Sequence, residues 1–395
     1  MALTDHRAAC KRLAELYKDD VGSSAKLLTA LTSLDANEFS MVCNGWEAVI
    51  DTPTEKPFLE MRLSGWSPTH KQAPQQLKRF WQALMGLDAI KEGRFLNLPS
   101  DVYLLGRESW GSSLLVRQCY RGLFNRMMEL RSPSINSRFL ITGTPGIGKS
   151  FFAIVLMGWL AKEKEVSMIV LDLEDKRYLF TAKGTDINVA EGRKTDFNEE
   201  IENPTTWCIV DTGTATKRAA NTVMLSFPDR ELYKEFLKFP GTKTLYMPFW
   251  TRSEIHKCRK RLYPNLGKQT VNSLLEKWGN IPRYVLEKAM DAVAQRSLED
   301  AIAFCRWEDI MHCVGEPETA LHAAHKLVHF KVAAGKQYDQ FIMNMASYYV
   351  VDKIAEKDGD NHVKHLWDLI DLATGYHEPG TRWLTGRAGR AAPVE

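Results

Sequence analysis

The chain has 395 residues, 44% of them apolar and 10% aromatic, which is enough to bury a core and to fill two or three domains. Its 52 basic and 49 acidic residues leave a net charge of +3, which excludes a global field drawing it onto nucleic acid or an anionic membrane; any basic surface must be local. Seven scattered cysteines without a C-x-x-C pair argue against a disulfide framework or a zinc site, and no signal peptide or membrane span is visible, so the expectation is an intracellular chain with no membrane partner.

In chain order, residues 1–112 read as an N-terminal accessory α/β region. It has helical patterns at Ala8 to Leu16 and Leu77 to Leu87 and a tryptophan-bearing, strand-like stretch from Phe39 to Trp66. The segment Asn97-Leu98-Pro99-Ser100 then leads to a helix expected from about Ser113 to Leu130, with Leu114, Leu115, Leu123, Met127 and Leu130 at helical spacing. Residues 113–251 form the core unit. Short apolar runs at Phe139-Leu140-Ile141, Met168 to Leu171, Trp207 to Val210, Val223-Met224-Leu225 and Lys243 to Met247 predict a mainly parallel five-stranded sheet within an α/β fold. Beyond Thr251 the strand signals stop. Helical patterns at Ser253 to Leu262, Val271 to Lys277, Pro282 to Gln295, Glu318 to Val332 and Gln337 to Glu356 predict an all-helical second domain, 252–375, before a tail, 376–395, that is poor in large apolar residues.

The chemistry concentrates on Gly143-Thr144-Pro145-Gly146-Ile147-Gly148-Lys149-Ser150, which follows an apolar run and opens the apolar helix Phe151 to Leu160. Glycines let backbone N–H groups wrap phosphates at the positive end of a helix; Lys149 is expected to bridge the β- and γ-phosphates of ATP and the Ser150 hydroxyl to ligate Mg²⁺. Trp207-Cys208-Ile209-Val210-Asp211 has the form of a Walker-B strand, with Asp211 supporting the Mg²⁺. Many ATPases follow that aspartate with a water-polarising glutamate, but here Thr212 follows, so hydrolysis is slow or another carboxylate such as Asp229 serves. Ser226, ending the Val223-Met224-Leu225 strand, is a candidate γ-phosphate sensor, with turn capping as the alternative. Arg283, in Trp278-Gly279-Asn280-Ile281-Pro282-Arg283, is a candidate second sensor reaching back from the helical domain; a surface ion pair is the plainer reading.

Six basic residues between Thr251 and Thr270 (Arg252, Lys257, Arg259, Lys260, Arg261 and Lys268) face one acid, Glu254. They contact nucleic-acid phosphates, supply an arginine finger to a neighbouring subunit or, more commonly, make a solvated helix face. His322, His325 and His329 share one side of an expected helix, which permits metal binding, although ordinary packing is the commoner role.

With these motifs in place, the chain resembles the P-loop ATPase module shared by Crinkler effectors of oomycetes and chytrid fungi and retrotransposon hot spot proteins of trypanosomes. The resemblance runs in order through Leu98-Pro99, Tyr103-Leu104-Leu105-Gly106, Val116-Arg117-Gln118-Cys119-Tyr120, Ile141 to Ser150, Tyr246-Met247-Pro248-Phe249-Trp250-Thr251, Glu276 to Leu286 and Ala346-Ser347-Tyr348-Tyr349-Val350. It covers about Phe95 to Ala355. It implies an additional-strand P-loop fold with a helical lid, ATP binding, a nuclear site of action and a nucleic-acid or nuclear protein partner, with oligomerisation open. The chain lacks the Leu-x-Leu-Phe-Leu-Ala-Lys leader of Crinklers and shows no signature of the nuclease domain that often follows the module.

Overall fold

A computed structural model of the chain describes residues 71–131, 137–183, 186–211, 213–332 and 337–358. The expected helix at Ala8 to Leu16, the Phe39 to Trp66 stretch, Cys10, Cys43, Thr212 and the tail lie outside these residues.

The described elements begin with β1 (Lys71–Gln72), α1 (Gln75–Gly86), β2 (Phe95–Asn97), β3 (Ser113–Leu115), α2 (Gln118–Leu130), β4 (Arg138–Thr142) and α3 (Lys149–Glu163). They continue with β5 (Met168–Leu173), β6 (Lys176–Lys183), β7 (Asp186–Arg193), α4 (Asn198–Ile201), β8 (Trp207–Asp211), β9 (Asn221–Leu225), α5 (Arg230–Leu237) and β10 (Thr242–Tyr246). After β10 come α6 (Arg252–Leu262), α7 (Lys268–Trp278), α8 (Ala292–Phe304), α9 (Trp307–Gly315), β11 (Val328–Val332), β12 (Phe341–Met345) and α10 (Tyr348–Asp358).

One eight-stranded sheet, in the order β1-β7-β6-β5-β8-β9-β4-β10, organises the chain. Its five strands β5, β8, β9, β4 and β10 are mutually parallel and coincide with the five apolar runs of the sequence. The sheet is larger than the five strands expected, because β6, β7 and β1 extend it antiparallel beyond β5.

Every residue of β4, β8 and β9 is buried, because both sheet faces are covered. Successive side chains point to opposite faces. Phe139, Ile141, Ile209, Val223 and Leu225 join the larger cluster with α1, α2 and α3, whereas Leu140, Cys208, Val210 and Met224 join a smaller one with Ile201, Tyr233 and Phe236 from α4 and α5. The result is a helix–sheet–helix sandwich. Helix α3 lies deep inside it, with Phe152 to Leu160 continuously buried, which explains an apolar sequence with no polar face.

Three expectations for secondary structure are corrected. Ser113-Leu114-Leu115 is a strand paired with β2, and the helix begins only at Gln118, after Arg117 in extended conformation. The region beyond Thr251 is not all helical: β11 and β12 pair antiparallel within the stretches Glu318 to Val332 and Gln337 to Glu356 where helices are expected, and the second expectation holds only from Tyr348 onward, in α10. Consequently His322, His325 and His329 do not share a helix face. His325 sits in a short 3-10 turn and His329 on β11, both buried, and burial pushes their imidazoles down to about 4 and about 3.

The helix expected over Pro282 to Gln295 is a π-helical turn at Arg283–Glu287 followed by α8. The described cysteines, Cys119, Cys208, Cys258, Cys305 and Cys313, are free and buried. No helix among the described residues is long and apolar enough to cross a membrane.

Candidate functional site

The glycine-rich loop 143–148 joins β4 to α3 at the C-terminal ends of the parallel strands, where α/β sheets present ligand sites. Gly143, Gly146 and Gly148 all have positive φ. The first amides of α3 have no carbonyl one turn earlier within the helix and are free to face an anion.

Four side chains and one strand hold the loop. Trp250 donates its indole N–H to the Ile147 carbonyl at 2.8 Å, and Tyr120 donates its hydroxyl to the Gly148 carbonyl at 3.0 Å. The Thr144 hydroxyl, buried, accepts from the Phe330 N–H of β11 at 2.9 Å. Lys149 folds back, its Nζ donating to the Gly143 and Thr144 carbonyls at 2.8 and 3.1 Å. Burial, and secondarily the Arg283 guanidinium, push the Lys149 amine down to about 7, with Asp211 offsetting part of this.

Asp211 ends β8 and is buried; burial raises its carboxyl above the usual range, while a hydrogen bond from Ser150 and the charge of Lys149 pull the other way. Arg283 lies against the same loop. A Cβ placed on Gly146, whose φ is +83°, would stand 2.9 Å from Arg283 Cβ and 3.2 Å from Ile281 Cγ2. Gly146→Ala is therefore expected to lower stability by about 1–2 kcal/mol through the left-handed backbone alone, and to displace Arg283; a lower urea midpoint at unchanged m-value reads the first effect. Arg283 is exposed, and among the described residues no carboxylate is within ion-pair reach of it. Gly279, in the segment that carries Arg283, is itself required. With φ +66°, a Cβ there would fall 2.4 Å from the Ala346 carbonyl oxygen just beyond β12.

Lys149, Ser150, Asp211 and Arg283 thus converge with the loop Gly143, Thr144, Pro145, Gly146, Ile147 and Gly148. Ser226 sits one strand from Asp211, beside β4, with its N–H on the Ile141 carbonyl at 3.1 Å, but its buried hydroxyl donates to the neighbouring Phe227 carbonyl at 2.9 Å. Asp229 points into its own helix, where Oδ1 caps α5 by accepting from Glu231 N–H at 3.0 Å. The basic stretch is largely engaged within the chain: Arg252 pairs with Glu276, Arg259 and Arg261 donate to Leu266 and Asn97, and Lys257 donates to the Gly93 carbonyl.

Sequence reasoning missed the residue that ties these pieces together. Arg117, only 2% exposed, donates Nε and Nη2 to Glu254 at 3.1 and 3.3 Å and gives further bonds to the Pro248 and Phe249 carbonyls at 3.0 and 2.8 Å. Its guanidinium also lies over the Trp250 ring, 4.9 Å from the centroid. Glu254 doubles as the third residue of a capping box with Thr251 at the start of α6. The capping pattern Thr251-x-x-Glu254 is visible in the sequence; a buried arginine partner for that glutamate is not.

No family model matches the chain. It is 28% identical over 231 residues to Crinkler effector protein 15 of Phytophthora infestans, covering 57% of this chain and 36% of that protein. It is likewise 28% identical over 227 residues to Crinkler effector protein 16 of the same organism, covering 54% and 35%. The chain therefore spans about a third of the length of these curated relatives, and a Crinkler-like relationship covers about half of it.

Proposed function

We propose that the chain is a P-loop NTPase of the additional-strand class, one that binds ATP at residues 143–150 and uses the nucleotide cycle to act on a macromolecular partner. The observation that carries this reading is the convergence of a half-buried lysine, a helix N-terminus and the Ser150–Asp211 hydrogen bond on one glycine-rich loop. Strand order supports it too, since β9 is interposed between β4, which leads into the loop, and β8, which ends in Asp211.

In this reading the loop amides and Lys149 hold the β- and γ-phosphates, and Arg283, already leaning on Gly146, contacts the γ-phosphate from the C-terminal region. Two hard oxygen donors, the Ser150 hydroxyl and the Asp211 carboxylate, fit Mg²⁺, which when bound supplies charge neutralisation for the transferring phosphoryl group. Lys149 leaves the Gly143 and Thr144 carbonyls as it takes the phosphates. The resemblance to Crinklers extends the proposal to a nuclear site of action and a nucleic-acid or nuclear protein partner.

A second reading, an ATP-binding module that does not hydrolyse, is favoured by Thr212 following Asp211 and by the Ser226 hydroxyl already bonded to its neighbour. Single-turnover phosphate release separates the two. Mg²⁺-dependent release that falls about a hundredfold in Asp211→Asn is the expected result; binding without release selects the second reading, and no binding refutes both.

A further inference from the structure

Position 212 carries no carboxylate, but the strand next to β8 brings one to the same end of the sheet. Leu173, the last residue of β5, pairs with Asp211, so Glu174 follows one residue beyond that pair, near enough for its charge to act on the Asp211 carboxyl. Glu174 opens the two-residue turn that closes the β5–β6 hairpin, Leu173 pairing with Lys176, and it does so at φ +57°. Glycine or asparagine is the ordinary occupant of such a position in a hairpin turn, and a glutamate held there is strained. Its side chain is 60% exposed and makes one ion pair, with Arg107 at 2.9 Å. Arg107 also acts electrostatically on Asp211, and its guanidinium stands 5.1 Å from the ring centre of Trp110, itself packed on Phe151 next to Ser150.

Two other carboxylates near the ends of these strands are committed. Asp172 is buried between Arg177 at 3.1 Å and Lys194 at 3.5 Å, and Asp229 caps its helix. Of these three carboxylates, Glu174 combines proximity to Asp211, exposure and a single exchangeable partner.

We propose that Glu174, supplied by the strand adjacent to Asp211, is the carboxylate that polarises the attacking water, with Arg107 holding it in reserve until nucleotide is bound. This rests on the ATP-hydrolysing reading above. The water oxygen bonds to the γ-phosphorus while its proton passes to the Glu174 carboxylate. The bond from that phosphorus to the bridging oxygen breaks, its electron pair leaving with ADP, and Glu174 returns the proton to solvent. The strain at φ +57° is the cost of keeping a carboxylate where the fold alone would take glycine.

The test uses the full chain, with ATP binding measured calorimetrically and phosphate release in single turnover, for wild type, Glu174→Gln, Glu174→Asp and Glu174→Gly. Expected are ATP affinities within about twofold of wild type throughout. Release should fall by about a hundredfold or more in the glutamine and glycine variants, the worth of a positioned general base, and take an intermediate value with aspartate. Glu174→Gly should melt no lower than wild type, a readout that separates a catalytic role from a structural one. Release by Glu174→Gln within threefold of wild type overturns the proposal and leaves the nucleotide-binding reading standing. If wild type binds ATP but releases no phosphate, the hydrolytic reading falls and this role falls with it.

Discussion

Lys149→Met is expected to weaken ATP binding by about a hundredfold, the worth of two charge-assisted hydrogen bonds at roughly 1.5 kcal/mol each, with hydrolysis lost in proportion. The same substitution changes how stability depends on pH. Without nucleotide the Lys149 amine titrates at about 7 because it is buried beside Arg283, whereas in the unfolded chain it titrates at about 10.4. Between these values the unfolded chain carries a proton that the folded chain lacks, so this group makes stability rise with pH across that window. Below about 7 both states are protonated and the penalty of burying the charge is fully felt.

Methionine, of similar length, removes the charge. Its stability relative to wild type should therefore be highest near pH 6 and decline steadily towards pH 10, as thermal melts of both proteins over that range would reveal; a constant gap would refute the burial of a titrating amine. Nucleotide phosphates should restore the charge, so wild-type binding above pH 7 takes up protons and weakens as pH rises. Calorimetry in buffers of different ionisation enthalpy measures that uptake directly.

Arg117→Ala is expected to cost about 3–5 kcal/mol, the usual penalty for removing one partner of a buried ion pair, and, on the proposed reading of the loop, to weaken ATP binding as well. Glu254, 20% exposed, and the Pro248 and Phe249 carbonyls would lose their donor together. Trp250 would lose the cation over its ring while still being required to fix the Ile147 carbonyl. Arg117→Lys keeps the charge but not the planar fork that serves Glu254 and two carbonyls at once, so it should recover only part of the loss. Chemical denaturation with ATP titration on both variants checks the prediction. An Arg117→Ala protein with wild-type affinity would show that the Trp250–Ile147 contact is held by other means.

The parallel strands were legible in the sequence because strands buried on both faces read as unbroken apolar runs; β5, β8, β9 and β4 are interior strands of the sheet, and β10, at its edge, is the least buried of the five. The β6–β7 hairpin was not, since its residues, Lys176-Arg177-Tyr178-Leu179-Phe180-Thr181-Ala182-Lys183 and its partner strand, mix charge with apolar side chains at the flank of the sheet. Leu327-Val328-His329-Phe330 illustrates the usual ambiguity of short runs, because four apolar or aromatic residues between Lys326 and Lys331 suit a helix or a strand equally. At the candidate site, the loop and Asp211 follow from local spacing. Arg283 could be suspected from the glycine and proline that precede it, but its position over Gly146 depends on how the C-terminal region folds back. Arg117 and Glu174 were invisible for a stronger reason: their surroundings are set by pairing between distant segments, which no local pattern encodes.

The bond from Phe330 to Thr144 joins residues 186 positions apart. At ordinary rates of protein synthesis, β11 leaves the ribosome on the order of ten seconds or more after the glycine-rich loop has done so. β4 waits in the same way for β9 and β10, both later in the chain. Throughout that interval the apolar helix α3 and the strand β4 that leads into it have no complete set of neighbours. The candidate site would thus be among the last parts of the protein to mature, because the order of the strands defers the pairings that complete it.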